Sequence, residues 1–420
     1  MSGPLIAGAL LLLAPQEAPS FTTKERIVLA YYHYSGPESK PDEELEEMGR
    51  AGVDVALVVS SVPSEGLDPL VQTLDRLEKE SKDRPRLAPC IPPTREGAAW
   101  AVGFDGRVPP RHRAAVDGRP LLWILPGKID PAAFEEAWGG RPAYRVAEAS
   151  LGLEAERTFV WGASWTGPRD ADAVSVGPGS AEPERDREEG RFYERAWTAV
   201  LRLDPRMVAI ESWNGAGNGV SRTTERGGRE LETTRRYTRH YKNAQKMAPP
   251  KGRWSGAQSV LYTLKYNPRE QGLRAVEADD GLFDVIQLRG VALHSSKENR
   301  KGPRRHLYFE VDDAFCYYER RPFQVTVEFL DSGEGTFTLE YDSGDRTLGP
   351  AARAFKRAGE VRFTSTGEWR TETFDLPDAV FGNGQAGGAD FRLAVENRGL
   401  AVRRILVAPR SMQGEPAGST

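Results

Sequence analysis

The sequence predicts an α/β protein: a (β/α)8 TIM-type barrel followed by an antiparallel β-sandwich domain. Three observations carry this. Up to about Met247 short apolar runs alternate with helix-like segments, which is the pattern of a parallel sheet wrapped by helices. Beyond a Pro/Gly/basic stretch the texture changes to apolar residues at every second position, the mark of strands with one buried face. The length of 420 residues exceeds what a single core usually serves.

The apolar runs are RIVLAYYHY (Arg26 to Tyr34), VDVALVVSS (Val53 to Ser61), RLAPCI (Arg86 to Ile91), PLLWILPG (Pro120 to Gly127), RTFVWGASW (Arg157 to Trp165), DAVSVGPG (Asp172 to Gly179) and MVAIESWNG (Met207 to Gly215). Continuous Val/Ile/Leu suits strands buried on both faces. An eighth strand is placed near Ala143 to Ala147, which favours the barrel over an open sheet. Among the helices, PDEELEEMGRAG opens on acidic residues and ends beside Gly52, and GRFYERAWTAVLRLDP carries Phe192, Ala196, Ala199 and Val200 at helical spacing.

Residues 1–19 contain an apolar run, Leu5 to Ala14, of signal-peptide length and too short for a membrane span. The expected organisation is therefore a leader over 1–19, a barrel over 24–246, a linker over 247–256, a sandwich over 257–409 and a disordered tail over 410–420, in a secreted or periplasmic protein. The sandwich strands are read in PFQVTVEFL, TFTLEY, WRTETF and DFRLAVE, separated by turn signals such as DSGEG and YDSGD.

A net charge of −4, 28% charged residues and 39% apolar residues describe an ordinary globular chain, with no basic footprint for nucleic acid. The charge runs Glu182 to Arg191 and Arg222 to Arg239 read as solvated loop and helix faces. Cys90 and Cys316 fall in different predicted domains and read as two buried thiols; the five histidines are scattered, with no metal-ligand spacing. No cofactor is expected. A structural calcium on Asp312, Asp313 and Asp331 is one reading of the sandwich, with turn capping as the other.

Chemistry concentrates at predicted C-terminal strand ends, the rim where barrel sites are built. In MVAIE, alternation puts Met207, Ala209 and Glu211 on the inward side and Val208 and Ile210 against the helices. Glu211 is the leading candidate for acid, base or nucleophile. Tyr31, Tyr32 and Tyr34 on the first strand, with Trp161, Trp165 and Trp213, offer surfaces for stacking on sugar rings. Asn214 and Asn218 add hydrogen-bonding groups, and His33 is a candidate acid/base at the rim.

The stretch VSVGPGSAEPERDREEGRFYERAWTAVLRLDPRMVAIESWNGAGNG resembles the C-terminal half of the endo-α-mannosidase type of glycoside hydrolase, family ninety-nine and its bacterial relatives. There a VGPG turn, an R-x-x-G-x-[FY]-Y helix start and an S-[WF]-N-E-W-x-E-G loop follow in that order. Here these are Val176 to Gly179, Arg187 to Tyr193 and Ser212 to Gly219, and YYHYSG (Tyr31 to Gly36) is similar to the family's first-strand Y-Y-x-W-Y-G. The later sandwich resembles the sugar-binding sandwiches often attached to such barrels.

The resemblance implies a partner that is a glycan or polysaccharide and, if active, hydrolysis of O-glycosyl bonds. The family's acids are not in register: Gly215 and Asn218 stand at two acidic positions of the strand-end loop. CIPPTRE (Cys90 to Glu96) stands for the family's catalytic H-x-E-P-Y strand end and the Glu beyond it, with only Glu96 nearby. Glycosidases need two carboxylates about 5 to 9.5 Å apart, so a partner for Glu211 is sought in Glu96, Asp54, Asp105, Asp170 or Asp172, with Asp105 before Gly106 reading as a turn residue. The alternative is a barrel that binds glycan without cleaving it, and a third reading is a surface adhesion or scaffold domain.

Overall fold

The structure is a computed structural model that describes residues 20–36, 39–181, 184–185, 188–224, 228–245, 251–264, 267–278, 280–295, 304–345, 347–348, 350–396 and 399–410. The expected leader, Arg187 of the helix-start motif, residues 247–250 of the expected linker and nearly all of the tail lie outside the described residues. No helix among the described residues is long and apolar enough to cross a membrane.

Eight strands form the first layer: β1 Ile27–Tyr34, β2 Val55–Ser60, β3 Arg86–Ile91, β4 Arg119–Ile124, β5 Tyr144–Glu148, β6 Arg157–Phe159, β7 Ala173–Val176 and β8 Met207–Ile210. They lie in the order β6-β5-β4-β3-β2-β1-β8-β7 and every pair is parallel. Only the seam between β6 and β7 lacks a ladder. There the Asp172 carboxylate accepts the Thr158 amide and hydroxyl, each at 3.0 Å, and ties the two strands together. The sheet is thus a nearly closed barrel.

Six helices cover it: α1 Pro41–Arg50, α2 Asp68–Lys79, α3 Arg95–Arg107, α4 Pro131–Trp138, α5 Arg191–Leu203 and α6 Arg229–Lys242. Local chemistry sets their ends. Proline opens α1 and α4, and the side chains of Thr94 and Asp130 accept the Gly97 and Ala133 amides at 3.1 Å as N-caps of α3 and α4. Asp105, expected in a turn, lies within α3 and pairs with Arg113 at 3.4 Å. After β5 and β6 the chain makes only single turns, Ala149–Leu151 and Ala163–Thr166.

Two cores follow from strand alternation. Leu29, Tyr31, Leu57, Cys90, Trp123, Val146, Met207 and Ala209 pack inside the barrel. Val28, Ala30, Tyr32, Tyr34, Val208 and Ile210 pack outward against the helices. Each aliphatic side chain so buried contributes roughly 1.5–3 kcal/mol relative to exposure.

The second domain has elements from Val260 to Pro409 in two antiparallel sheets. In the strand Arg321–Leu330, Phe323, Val325, Val327 and Phe329 are buried and enter one core with Phe337, Leu339, Leu393 and Val407. The sandwich seats Tyr317 and Tyr318 on Ala199 of α5. Tyr318 donates its hydroxyl to the Pro168 carbonyl, and Arg353 pairs with Asp170 at 3.5 Å with both side chains nearly buried. The sandwich therefore grips the β6–β7 connection, on the side where the barrel has only single helical turns.

Candidate functional site at the barrel rim

Glu211 follows β8 on its inward side, as alternation requires, yet it is only 2% exposed. Both of its carboxylate oxygens face the Gly162 amide, at 3.2 and 3.1 Å, and Oε2 is 3.4 Å from the Ser164 amide. Ser164 Oγ donates to the Glu211 carbonyl. The loop turns here because Gly162 sits at φ +101°, a conformation that L side chains rarely adopt. Gly177 of the VGPG turn is equally constrained: a Cβ there would run into Ser164 and the Glu211 carbonyl. The Glu211–Ser212 peptide is cis.

Burial pushes the Glu211 carboxyl up to about 7, against the loop amides and Ser175, which favour the anion.

Tyr31 lies inside the barrel beneath this loop. Its hydroxyl accepts Trp123 Nε1 at 2.7 Å, and its ring meets Trp161 edge-on with centroids 4.9 Å apart. It supports the rim from below, with no surface of its own exposed. Trp161 is 40% exposed and Trp165 52% exposed, on the β6–β7 connection. Trp165 belongs to the turn Ala163–Thr166, since the strand expected to reach it ends at Phe159. His33 keeps an exposed edge at the end of β1, and partial burial lowers its pKa from the usual 6.5.

Three aromatics expected at the rim are elsewhere. Tyr32, Tyr34 and Trp213 are buried in the layer between strands and helices. Tyr34 donates to the Gly66 carbonyl at 3.2 Å. Alternation decides the two tyrosines, because Tyr31 and His33 take the inward side; Trp213 sits beyond the end of β8, where alternation lapses.

The two asparagines bind the protein itself. Asn214 Oδ1 accepts the His33 amide at 2.8 Å, while Nδ2 donates to the His33 carbonyl and to Glu44, each at 3.0 Å. One side-chain amide thus continues the β1 ladder and fastens it to α1. Asn218 Oδ1 accepts the Ser212 hydroxyl at 3.1 Å, and Ser212 Oγ accepts the Gly215 amide at 2.8 Å. A Cβ at Gly215 would collide with both Ser212 Oγ and Asn218 Oδ1, so the position that is acidic in the resembling family has no room for a side chain here.

Four of the five candidate partner carboxylates, Asp54, Asp105, Asp170 and Asp172, are engaged in structure, and Glu96 stands on a helix. Glu96 is exposed in the first turn of α3, where the helix dipole favours an acid. Asp54 accepts the Val28 amide at 2.9 Å and pairs with Lys242 at 2.6 Å. Asp105, Asp170 and Asp172 hold Arg113, Arg353 and Thr158.

The structure adds Glu148. It shares the inward side of β5 with Tyr144 and Val146, is 8% exposed, and accepts the Ser150 amide at 2.8 Å. It lines a rim cleft of about 520 Å³ together with Trp161 and Arg169. The signal was present as YRVAE, where Tyr144, Val146 and Glu148 alternate, but the expected strand stopped one residue short.

The three aspartates considered for calcium do not converge. Asp331 is fully buried; although burial opposes ionisation, bonds from Thr364 and Thr366 hold its carboxyl far below the usual range. Its oxygens are taken up by these donors. Asp312 caps the Ala314 amide at 2.9 Å, and Asp313 accepts Asn383 Nδ2 at 3.0 Å. Among the described residues Asp75, Glu78 and His112 do cluster with ligand atoms within 4.8 Å, but the Arg111 guanidinium is 2.6 Å from Asp75 and 3.5 Å from Glu78, where a cation would have to sit. Both cysteines are free and buried.

No protein-family model and no curated protein matches the chain. Among solved structures it is similar to the GH99 endo-α-mannosidase from Bacteroides thetaiotaomicron, at 15% identity over 52% of this chain and 98% of that one, with a TM-score of 0.39. It is also similar to the K3 cleaved adhesin domain of Lys-gingipain from Porphyromonas gingivalis W83, at 12% identity over 36% of this chain and 96% of that one, with a TM-score of 0.21. A third similarity is to the C-terminal CBM6 of LamC from Zobellia galactanivorans, at 13% identity over 32% of this chain and 98% of that one, with a TM-score of 0.17.

Proposed function

We propose that the protein binds a glycan at the C-terminal rim of its barrel, and that Glu211 serves this by holding the Trp161 loop in place. The observation that carries the reading is the engagement of both Glu211 oxygens by loop amides in a carboxylate only 2% exposed. An acid or base must reach the proton it transfers, and this carboxylate is turned to the loop. Trp161 and Trp165 supply the exposed aromatic surface that sugar rings stack on. The likeness of the strand-end loop to a glycosidase family supports the ligand class, and the replacement of its acids by Gly215 and Asn218 supports binding without cleavage. Export from the cell belongs to this reading.

A hydrolase is the second reading, and Glu148 is what favours it: an inward carboxylate at the rim facing the same cleft as Trp161. Binding to a glycan array and release of reducing ends separate the two. Under the first reading Trp161→Ala abolishes binding and no preparation releases reducing ends. Glycan cleavage that disappears in Glu148→Gln or Glu211→Gln would establish the second.

A further inference from the structure

The rim cleft is not made by the barrel alone. Glu148, Trp161 and Arg169 form one wall, and Ala352, Phe355 and Gly384 of the sandwich form the other. Its volume of about 520 Å³ lies within the range of ligand sites. The walls are held in register by the contacts that flank Arg169: the Tyr318 hydroxyl on the Pro168 carbonyl, and the Arg353–Asp170 pair at 3.5 Å. The Phe355 plane is set by the Arg392 guanidinium, 4.2 Å from the ring centroid. Gly384 has no room for a Cβ beside Arg169 and the Asp342 carboxyl, so the two domains meet closely at the cleft floor.

The chemistry of the lining is specific. Aromatic residues stand on both walls, suited to the C–H faces of a pyranose. Glu148 offers acceptor oxygens, and Arg169 lines the cleft floor as the donor, its Nη1 buried there beside the Asp342 carboxyl without a hydrogen-bond partner. One acceptor and one donor match vicinal hydroxyls, which give one proton and receive another. A carboxylated sugar brought against Glu148 meets a like charge in a partly desolvated place, and the Arg169 cation in the same cleft already has the Asp342 carboxyl beside it.

We infer that the sandwich is a working half of the binding site, and that the cleft takes an uncharged, hydroxyl-rich sugar ring between the Trp161 wall and the Phe355 wall. The ring donates a hydroxyl proton to Glu148 and accepts from Arg169. This rests on the glycan reading above and adds to it the second wall and the class of sugar.

The test is calorimetric titration of the full chain with manno-, cello- and laminari-oligosaccharides and with oligogalacturonate, for wild type, Trp161→Ala, Phe355→Ala and Ala352→Trp. Ala352 is exposed, so Trp there fills the cleft without emptying a core, and it keeps the test open should Phe355→Ala fail to fold. A neutral oligosaccharide is expected to bind wild type more tightly than oligogalacturonate, and at least tenfold more weakly to both sandwich variants. If the sandwich variants bind like wild type while Trp161→Ala does not bind, the composite site is wrong and the glycan reading stands. If oligogalacturonate binds more tightly than the neutral sugars, the sugar class is wrong. If wild type binds none of them, the glycan reading fails and this inference with it.

Discussion

The Glu211 carboxylate meets the Gly162 amide with both oxygens, at 3.2 and 3.1 Å, across 49 residues of sequence. This ties the end of the last barrel strand to the loop that carries Trp161, and it makes a buried carboxyl part of the loop's stability. The folded chain keeps the Glu211 proton up to about pH 7, whereas an ordinary glutamate releases it near 4.5. Its contribution is therefore full below 4.5 and is lost as the pH rises through 7. The loss is on the order of 3 kcal/mol. Thermal unfolding between pH 5 and pH 8 is expected to show a falling Tm in wild type and a flatter profile in Glu211→Gln; parallel profiles would remove Glu211 as the cause.

Asn214 replaces a missing stretch of ladder at the end of β1. Asn214→Ala leaves the His33 amide and carbonyl and one Glu44 oxygen without this partner, an effect of about 1–3 kcal/mol. Urea denaturation should show the midpoint lowered with an unchanged slope. Wild-type stability in this variant would mean that water satisfies these groups equally well.

Gly215→Glu puts an acid back where the resembling family has one. The Ser212–Asn218 hydrogen bond occupies the space that its Cβ needs, so the expected outcome is a destabilised chain, by about 1–3 kcal/mol, with no glycosidase activity gained. A stable, active variant would show that the loop accommodates the family's arrangement.

Tyr318 plugs the sandwich into the barrel. Tyr318→Ala removes a buried ring and its hydroxyl, and is expected to destabilise by about 3 kcal/mol and to speed proteolysis between the domains. Calorimetry that shows a single unshifted transition would contradict this role.

The barrel was legible because its strands are continuous apolar runs, and β8 could be sorted residue by residue: Met207 and Ala209 inward, Val208 and Ile210 outward. The same alternation sorts β1, yet grouping Tyr31, Tyr32 and Tyr34 by their aromatic character put all three at the rim, and Tyr32 and Tyr34 belong to the helix layer. Trp165 lies off the strand because Gly162, at φ +101°, turns the chain before it, and nothing in the apolar run RTFVWGASW marks that turn except the glycine itself. The roles of Asn214 and Asn218 were not legible, since for Asn214 the partner backbone lies 181 residues away. Glu148 is the last residue of its strand, one beyond the expected end at Ala147, and strand ends carry the weakest sequence signal.

The central claim is that Glu211 holds the rim and breaks no glycosidic bond. Its most direct test is to measure, on the same neutral oligosaccharide, both binding and reducing-end release by wild type and Glu211→Gln at pH 5.5, where the wild-type carboxyl is largely protonated. The account predicts binding by both within a few-fold and no release by either. Release by wild type that falls at least a hundredfold in Glu211→Gln, with binding retained, would contradict it.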